Sequence, residues 1–112
     1  MLLGIDLGGT KIEGIVLESK EKPIEVIRHR VDTEEKKGYL QVVDNIKSLV
    51  EYIENKINHK FDKLGIGTPG TLDPATGLLK NSNSQCLNGM PLKKDLSKTL
   101  DKTILIQNDA NC

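Results

Sequence analysis

One amphipathic helix between two groups of strands is the feature that most restricts the fold of this chain. Apolar residues recur every three or four positions over residues 37–58, which predicts a helix with one buried face. The predicted apolar stripe contains Leu40, Val43, Ile46, Val50, Ile53 and Ile57, widened by Leu49. The predicted polar face contains Asp44, Lys47, Glu51, Glu54 and Lys56.

Five strands are predicted around this helix, over residues 2–7, 12–18, 24–31, 63–67 and 103–107. The first two strands form a hairpin, because a Gly-Gly turn separates them. A short helix is predicted over residues 92–100. Residues 71–91 form a long polar loop, and loops of that length in compact domains are usually functional or disordered.

The order of these elements, βββ-α-β-(α)-β, predicts an α/β domain. Two parallel pairings with the first strand satisfy the right-handed crossover rule. The carboxyl ends of the first, fourth and last strands then lie on one edge of the sheet, at residues 8–10, 68–70 and 108–109. Ligands of open α/β sheets bind at that edge. The convergence of three glycine-rich or polar strand ends therefore predicts a binding site there.

Composition excludes several classes of function. The 16 basic and 16 acidic residues cancel, so no basic stripe is available for nucleic acid. The three aromatic residues are too few for a base-stacking surface. The two cysteines lack metal-ligand spacing, and no apolar run is long enough for an export leader or a membrane span. We expect a cytoplasmic domain with neither nucleic acid nor a membrane as its partner.

Residues 6–11, Asp-Leu-Gly-Gly-Thr-Lys, have the chemistry of a phosphate-binding turn. Gly8 and Gly9 lack Cβ atoms, so backbone N–H groups can approach phosphate oxygens closely. Thr10 adds a hydroxyl donor, and Lys11 adds positive charge. Asp6 stands before the turn, where a carboxylate can hold Mg²⁺ directly or through water. The same residues are also consistent with an ordinary hairpin beside a surface aspartate, and the spacing leaves both open.

Several segments together resemble the ROK family of sugar kinases and repressors, which belongs to the actin/hexokinase/Hsp70 superfamily. Residues 6–11 resemble its first phosphate motif, residues 65–70 (Gly-Ile-Gly-Thr-Pro-Gly) its Gly-x-Gly-x-Pro-Gly turn, and residues 108–112 (Asn-Asp-Ala-Asn-Cys) its catalytic segment. Residues 80–84 and 87–91 look most like the fructokinase or mannokinase branch. The resemblance implies an actin/hexokinase-like (ribonuclease H-like) ATPase domain with a mixed five-stranded sheet and flanking helices.

The resemblance also implies an activity and the residues that perform it. The chain would be the N-terminal domain of an ATP-dependent hexose kinase, fructokinase-like, with glucose, mannose or an N-acetyl amino sugar as further candidate substrates. Asp109 would be the general base, Asn83 and Asn108 would bind sugar hydroxyls, and the Gly70 turn would pack against the sugar. ATP and Mg²⁺ would be bound by Asp6, Gly8, Gly9, Thr10 and Lys11.

From local sequence alone these polar segments have simpler interpretations. Asn108 and Asp109 are also consistent with a helix N-cap after a strand, a role compatible with catalysis. Residues 81–84 are also consistent with ordinary turn chemistry.

Other functions compete with the kinase. A ROK transcriptional regulator would carry a helix-turn-helix domain before the phosphate motif, and here the stretch that contains this motif, residues 4–11, begins at residue 4 and leaves no room for one. A non-catalytic sugar-binding module would bind sugar without ATP turnover. The resemblance further implies a second domain, absent here, and a homodimer as the full-length protein. We therefore expect the isolated chain to be inactive, with apolar sheet surface exposed.

Overall fold

The first three strands form an antiparallel meander. Strand β1 (Leu2–Leu7) pairs with β2 (Lys11–Leu17), which pairs with β3 (Glu25–Asp32). Every second residue of β1 and β2 is buried, as the two-residue period of a strand requires when one face of a sheet is covered.

The structure is a computed structural model that describes residues 1–68, 71–72, 75–80 and 88–108. Only the backbone is described at residues 71, 72, 79, 80, 107 and 108.

The remaining elements add two parallel strands to the meander. In chain order they are a 3-10 turn (Glu35–Lys37), α1 (Tyr39–Ile57), β4 (Lys63–Thr68), β5 (Thr71–Leu72), β6 (Leu79–Lys80), α2 (Leu92–Leu100) and β7 (Thr103–Asn108). The sheet order is β3-β2-β1-β4-β7, and β4 runs parallel to both β1 and β7. The expected mixed five-stranded sheet is therefore confirmed.

Two details of the predicted topology are wrong. The last strand, β7, pairs with β4 and not with β1, because β2 already occupies the other edge of β1. Residues 71–91 are not a continuous loop, since β5 and β6 form a small antiparallel hairpin within them.

No helix in the described residues combines the length and apolar character needed to cross a bilayer.

The apolar stripe of α1 is rotated slightly from its predicted position. Tyr39 takes the first buried position of the helix, so Leu40, predicted to face the core, is 78% exposed. Val42 is fully buried beside the predicted members of the stripe. Glu54, predicted on the polar face, is only 4% exposed. The core of the domain lies between this stripe, α2 and one face of the sheet.

Helix α1 lies close against the sheet at Gly14 in β2. A Cβ atom at Gly14 would lie 2.5 Å from Cδ1 of Ile53 and 3.4 Å from Cδ2 of Leu49. Both side chains are fully buried and have little room to move. The absence of a side chain at Gly14 therefore sets the distance at which the helix lies on the sheet.

A buried ion pair joins the far end of α1 to the start of the parallel strands. Lys102 donates from Nζ to Oε2 of Glu54 at 2.7 Å and also to the carbonyl oxygen of Phe61. The N–H of Phe61 donates to the same carboxylate oxygen at 2.8 Å. Burial opposes ionisation of Glu54, but the hydrogen bonds from Lys102 and Phe61 outweigh it and hold the pKa of the carboxyl below its ordinary value.

We predict that Glu54→Gln lowers the free energy of unfolding by about 3 kcal/mol at neutral pH, because it leaves the buried Lys102 without its counter-charge. The folded pKa of Glu54 lies below its ordinary 4.5, so the stabilisation is complete above that pH and is lost as pH falls through the folded pKa. Urea unfolding at pH 7 and at steps down to pH 3 measures both effects. Exposed Glu51→Gln on the same helix is the control and should change little. A difference between wild type and Glu54→Gln that stays constant with pH would contradict the prediction.

Candidate functional site at the carboxyl edge of the parallel strands

Three strand ends meet at one edge of the sheet, as the sequence predicts. In the register of the parallel pairs, Asp6 of β1 lies beside Gly67 of β4, and Thr68 lies beside Asn108 of β7. The Gly-Gly turn after β1 therefore lies next to the end of β4 and on the same edge of the sheet as the end of β7, one strand further away. Of the predicted site residues, Gly70, Asn83 and Asp109 lie outside the described residues, and Asn108 is described by its backbone only.

The turn between β1 and β2 is a tight hairpin whose closure requires Gly8. The N–H of Gly8 donates to the carbonyl oxygen of Lys11 at 3.0 Å. A Cβ atom at Gly8 would lie 2.8 Å from that same backbone oxygen, closer than real Cβ contacts allow. The N–H of Gly8 thus closes the hairpin, and Gly9 and Thr10, the two residues at its tip, are exposed.

Lys11 is paired with an aspartate of the neighbouring strand. Its Nζ forms a short ion pair with Asp32, its cross-strand partner in β3, and both side chains are more than half exposed, at 54% and 67%. The hydrogen bond from Lys11, followed by its charge, lowers the pKa of the Asp32 carboxyl. Exposed ion pairs contribute little to stability, so this contact does not prevent Lys11 from turning to another anion.

Asp6 lies on the sheet face away from α1, opposite a second carboxylate. Its cross-strand partner is Glu13, whose Oε2 accepts hydrogen bonds from Arg30 at 2.7 and 3.0 Å, while Oε1 is bound by Arg28. The hydrogen bond from Arg30 outweighs burial and, with the charges of both arginines, lowers the pKa of Glu13. Glu13 is therefore neutralised by its own partners, whereas the exposed Asp6 has no ion pair among the described residues.

The donor set at this edge suits a magnesium ion bound together with phosphates better than a metal held by protein alone. Among the described residues, no group of three His, Cys, Asp or Glu side chains could hold a metal ion. Mg²⁺ usually keeps several waters and binds one or two carboxylates plus substrate phosphates. The exposed carboxylate of Asp6 beside the turn fits that pattern.

A polar network around Thr33, which the sequence did not indicate, supports the turn. Thr33, the residue after β3, is 1% exposed, and its Oγ1 donates to the carbonyl oxygen of Gly8 at 2.8 Å. The N–H of Thr33 donates to the carbonyl oxygen of Thr10 at 2.9 Å. Asn45 of α1 donates to the carbonyl oxygen of Thr33 at 3.0 Å. The one available signal was Asn45 itself, since asparagine is disfavoured inside helices and usually has a hydrogen-bonding reason to be there.

Among several grooves on the described surface, two bear on the location of the site, and one of these is near the turn. The nearer groove has a volume of 420 Å³ and is lined by Gly9, Thr10 and the segment that connects β3 to α1. The other has a volume of 590 Å³ and is lined by the first residues of β1 and β4, at the opposite edge of the sheet. The second groove is therefore not part of the candidate site.

Comparison with curated proteins finds relatives that are much longer than this chain. It is 38% identical over 112 residues to N-acetyl-D-glucosamine kinases of Mannheimia succiniciproducens and Aliivibrio fischeri. Each match covers 100% of this chain but 36% of the relative. The chain thus spans about a third of the length of the curated relatives it matches.

Comparison with solved structures supports the fold. The ROK hexokinase of Thermus thermophilus superimposes with a TM-score of 0.82 at 28% identity, over 98% of this chain and 35% of that one. A ROK glucokinase of Streptomyces griseus, solved with glucose and AMPPNP, superimposes with a TM-score of 0.81 at 24% identity, over 98% of this chain and 33% of that one. The expected actin/hexokinase-like fold is confirmed. The ROK family model matches residues 2–112, and the chain belongs to the ROK family.

Proposed function

We propose that this chain is the N-terminal domain of an ATP-dependent hexose kinase. The observation that carries the proposal is the meeting of the turn after β1 with the ends of β4 and β7 at one edge of the sheet, in a chain of the ROK family. A phosphate-binding turn and a segment containing a carboxylate, brought to one edge, are what transfer of a phosphoryl group between two bound substrates requires. The relatives named as kinases support the same reaction.

The proposed roles of the turn follow from its geometry. The backbone of Gly9 and Thr10 and the hydroxyl of Thr10 would donate to phosphate oxygens of ATP, while Gly8 lets the hairpin close. Lys11 would leave the exposed Asp32 for a phosphate, at little cost to stability. Asp6 would hold Mg²⁺, directly or through water, and the bound ion would neutralise charge on the β- and γ-phosphates.

The acceptor side of the reaction belongs to residues after β4 and β7. Asp109 would accept the proton of the attacking sugar hydroxyl and orient that oxygen toward the γ-phosphorus. Asn83 and Asn108 would hydrogen-bond other hydroxyls, and the Gly70 turn would pack against the sugar ring. Assembly of the full-length protein as a homodimer is a prediction from the family resemblance, and a cytoplasmic location is a prediction from the composition of the chain.

Two hexoses are the leading candidates for the acceptor. N-acetylglucosamine is supported by the names of the curated relatives, at 38% identity over this chain. Fructose is supported by residues 80–84 and 87–91, which look like the fructokinase or mannokinase branch. Selection between hexoses depends on a few hydroxyl contacts, and part of them would come from outside this chain.

We predict that the full-length protein releases ADP from Mg-ATP in the presence of one of these hexoses. A panel of N-acetylglucosamine, fructose, glucose and mannose in a coupled ADP assay should give one sugar with kcat/KM at least about tenfold above the others. Binding of a sugar without ADP release would support the non-catalytic module instead. Neither binding nor turnover with any sugar would refute the proposal.

We predict that Asp109→Asn in the full-length protein lowers kcat by between about 100-fold and 10,000-fold, because the amide cannot accept the proton of the hydroxyl. Sugar affinity, measured by calorimetry, should stay close to wild type. Asp101→Asn is the matched control, since Asp101 is exposed and asparagine tolerates its left-handed backbone. Equal kcat values for the two variants would rule out Asp109 as the base.

We predict that Gly8→Ala weakens binding of a non-hydrolysable ATP analogue to the full-length protein by about tenfold or more, because the added Cβ forces the backbone of the turn apart. Gly4→Ala is the matched control. A Cβ atom at Gly4 would meet only Cγ2 of Ile15, at an ordinary 3.7 Å. If both variants bind the analogue like wild type, the turn does not bind phosphate.

A further inference from the structure

Thr33 contacts the turn at two carbonyl oxygens, one on each side of Gly9. Its hydroxyl donates to the carbonyl oxygen of Gly8, and its N–H donates to the carbonyl oxygen of Thr10, at 2.8 and 2.9 Å. Thr33 is 1% exposed, so these bonds are shielded from competing water. Thr33 follows β3 and lies 25 positions from Gly8 along the chain, so the contact ties two distant segments together.

The bond to Gly8 fixes the direction of the peptide group that joins the two glycines. A trans peptide is planar, with its carbonyl oxygen and its N–H pointing in opposite directions. Because the oxygen of Gly8 is directed to Thr33, the N–H of Gly9 is directed away from Thr33. Glycines on both sides of this peptide otherwise permit a rotation that would reverse it and present a carbonyl oxygen where the N–H now stands.

Asn45 holds Thr33 in place from the long helix. Its amide nitrogen lies 3.0 Å from the carbonyl oxygen of Thr33, 3.2 Å from that of Asp32 and 3.0 Å from Oε1 of Glu34. Gln41, one turn earlier in α1, donates to the amide oxygen of Asn45 at 2.9 Å. The segment that carries Thr33 is therefore anchored to α1, whose buried residues extend from Tyr39 to Glu54.

We infer that Thr33, supported by Asn45, is a positioning residue for the nucleotide, because it holds the Gly8–Gly9 peptide with its N–H available to phosphate. The inference rests on the proposed function and deepens it. Thr33 touches neither substrate in this assignment. Its hydroxyl acts only through the backbone of the turn, and its effect is specific to ATP and not shared by the sugar.

Binding of Mg-AMPPNP to the full-length protein, measured by calorimetry, tests this assignment. Thr33→Val keeps the shape and the backbone N–H but removes the hydroxyl, and it should weaken binding roughly tenfold. Thr33→Ser keeps the hydroxyl and should restore wild-type affinity. In steady-state assays the KM for ATP should rise in Thr33→Val while the KM for the sugar stays unchanged.

Two further variants separate positioning from a general loss of stability. Glu54→Gln removes a buried polar contact at the opposite end of α1, so it should lower the melting temperature without weakening nucleotide binding. Asn45→Ala should weaken binding in the same direction as Thr33→Val and supplies the test if Thr33→Val does not fold. The inference is overturned if Thr33→Val binds like wild type, if Thr33→Ser binds as weakly as Thr33→Val, or if Glu54→Gln weakens binding equally.

The same measurements distinguish failure of this inference from failure of the proposed function. If the wild-type protein binds the analogue but phosphorylates no hexose, the kinase proposal fails, and the binding comparison among the variants still decides the role of Thr33. If the wild-type protein does not bind the analogue, both are overturned.

Discussion

The burial of α1 against the sheet is the interaction on which the rest of the structure depends. The missing side chain of Gly14 lets Ile53 and its neighbours lie directly on β2. The helix carries the chain from the edge strand β3 back across the sheet, where the only free edge of β1 accepts β4 in parallel. Helix α2 repeats the crossover and adds β7 beside β4. The shared direction of these three strands is what brings a turn and two strand ends to one edge.

The candidate site is supported at two levels. The strand directions bring the turn after β1 and the ends of β4 and β7 to the same level at one edge of the sheet. They do not orient individual peptide groups. That finer level is supplied by side chains that take no part in the proposed chemistry, chiefly the buried Thr33 and the helical Asn45. A hydroxyl and an amide, both hydrogen-bonded to backbone, thus connect α1 to the glycine turn.

Much of this architecture could be predicted from the sequence, because the strongest signals are periodic. The helix ends fell within two residues of the prediction, and α2 matched it at both ends. The rotation of the α1 stripe could not be predicted, because Tyr39 and Leu40 are both apolar enough to be buried and the 3-10 turn before them decides which one is. The burial of Glu54 could not be predicted for a different reason. Its partner Lys102 is 48 positions away along the chain, and only the fold brings the two side chains together.

The same limit applies to the candidate site. Glycines next to a strand predict the turn itself. The residues around Thr33, however, do not distinguish it from other polar residues near a strand end. Its role depends on the antiparallel register of three strands, which brings position 33 beside position 10. The arginines beside Glu13 also bear on the site, although they lie on the edge strand β3 and are not part of the turn. Like charges directly opposite each other repel, so Arg28 and Arg30 make it possible for Asp6 to face Glu13. Substitution of these arginines in β3 can therefore change how strongly this sheet face attracts cations, while every residue of the glycine turn stays the same.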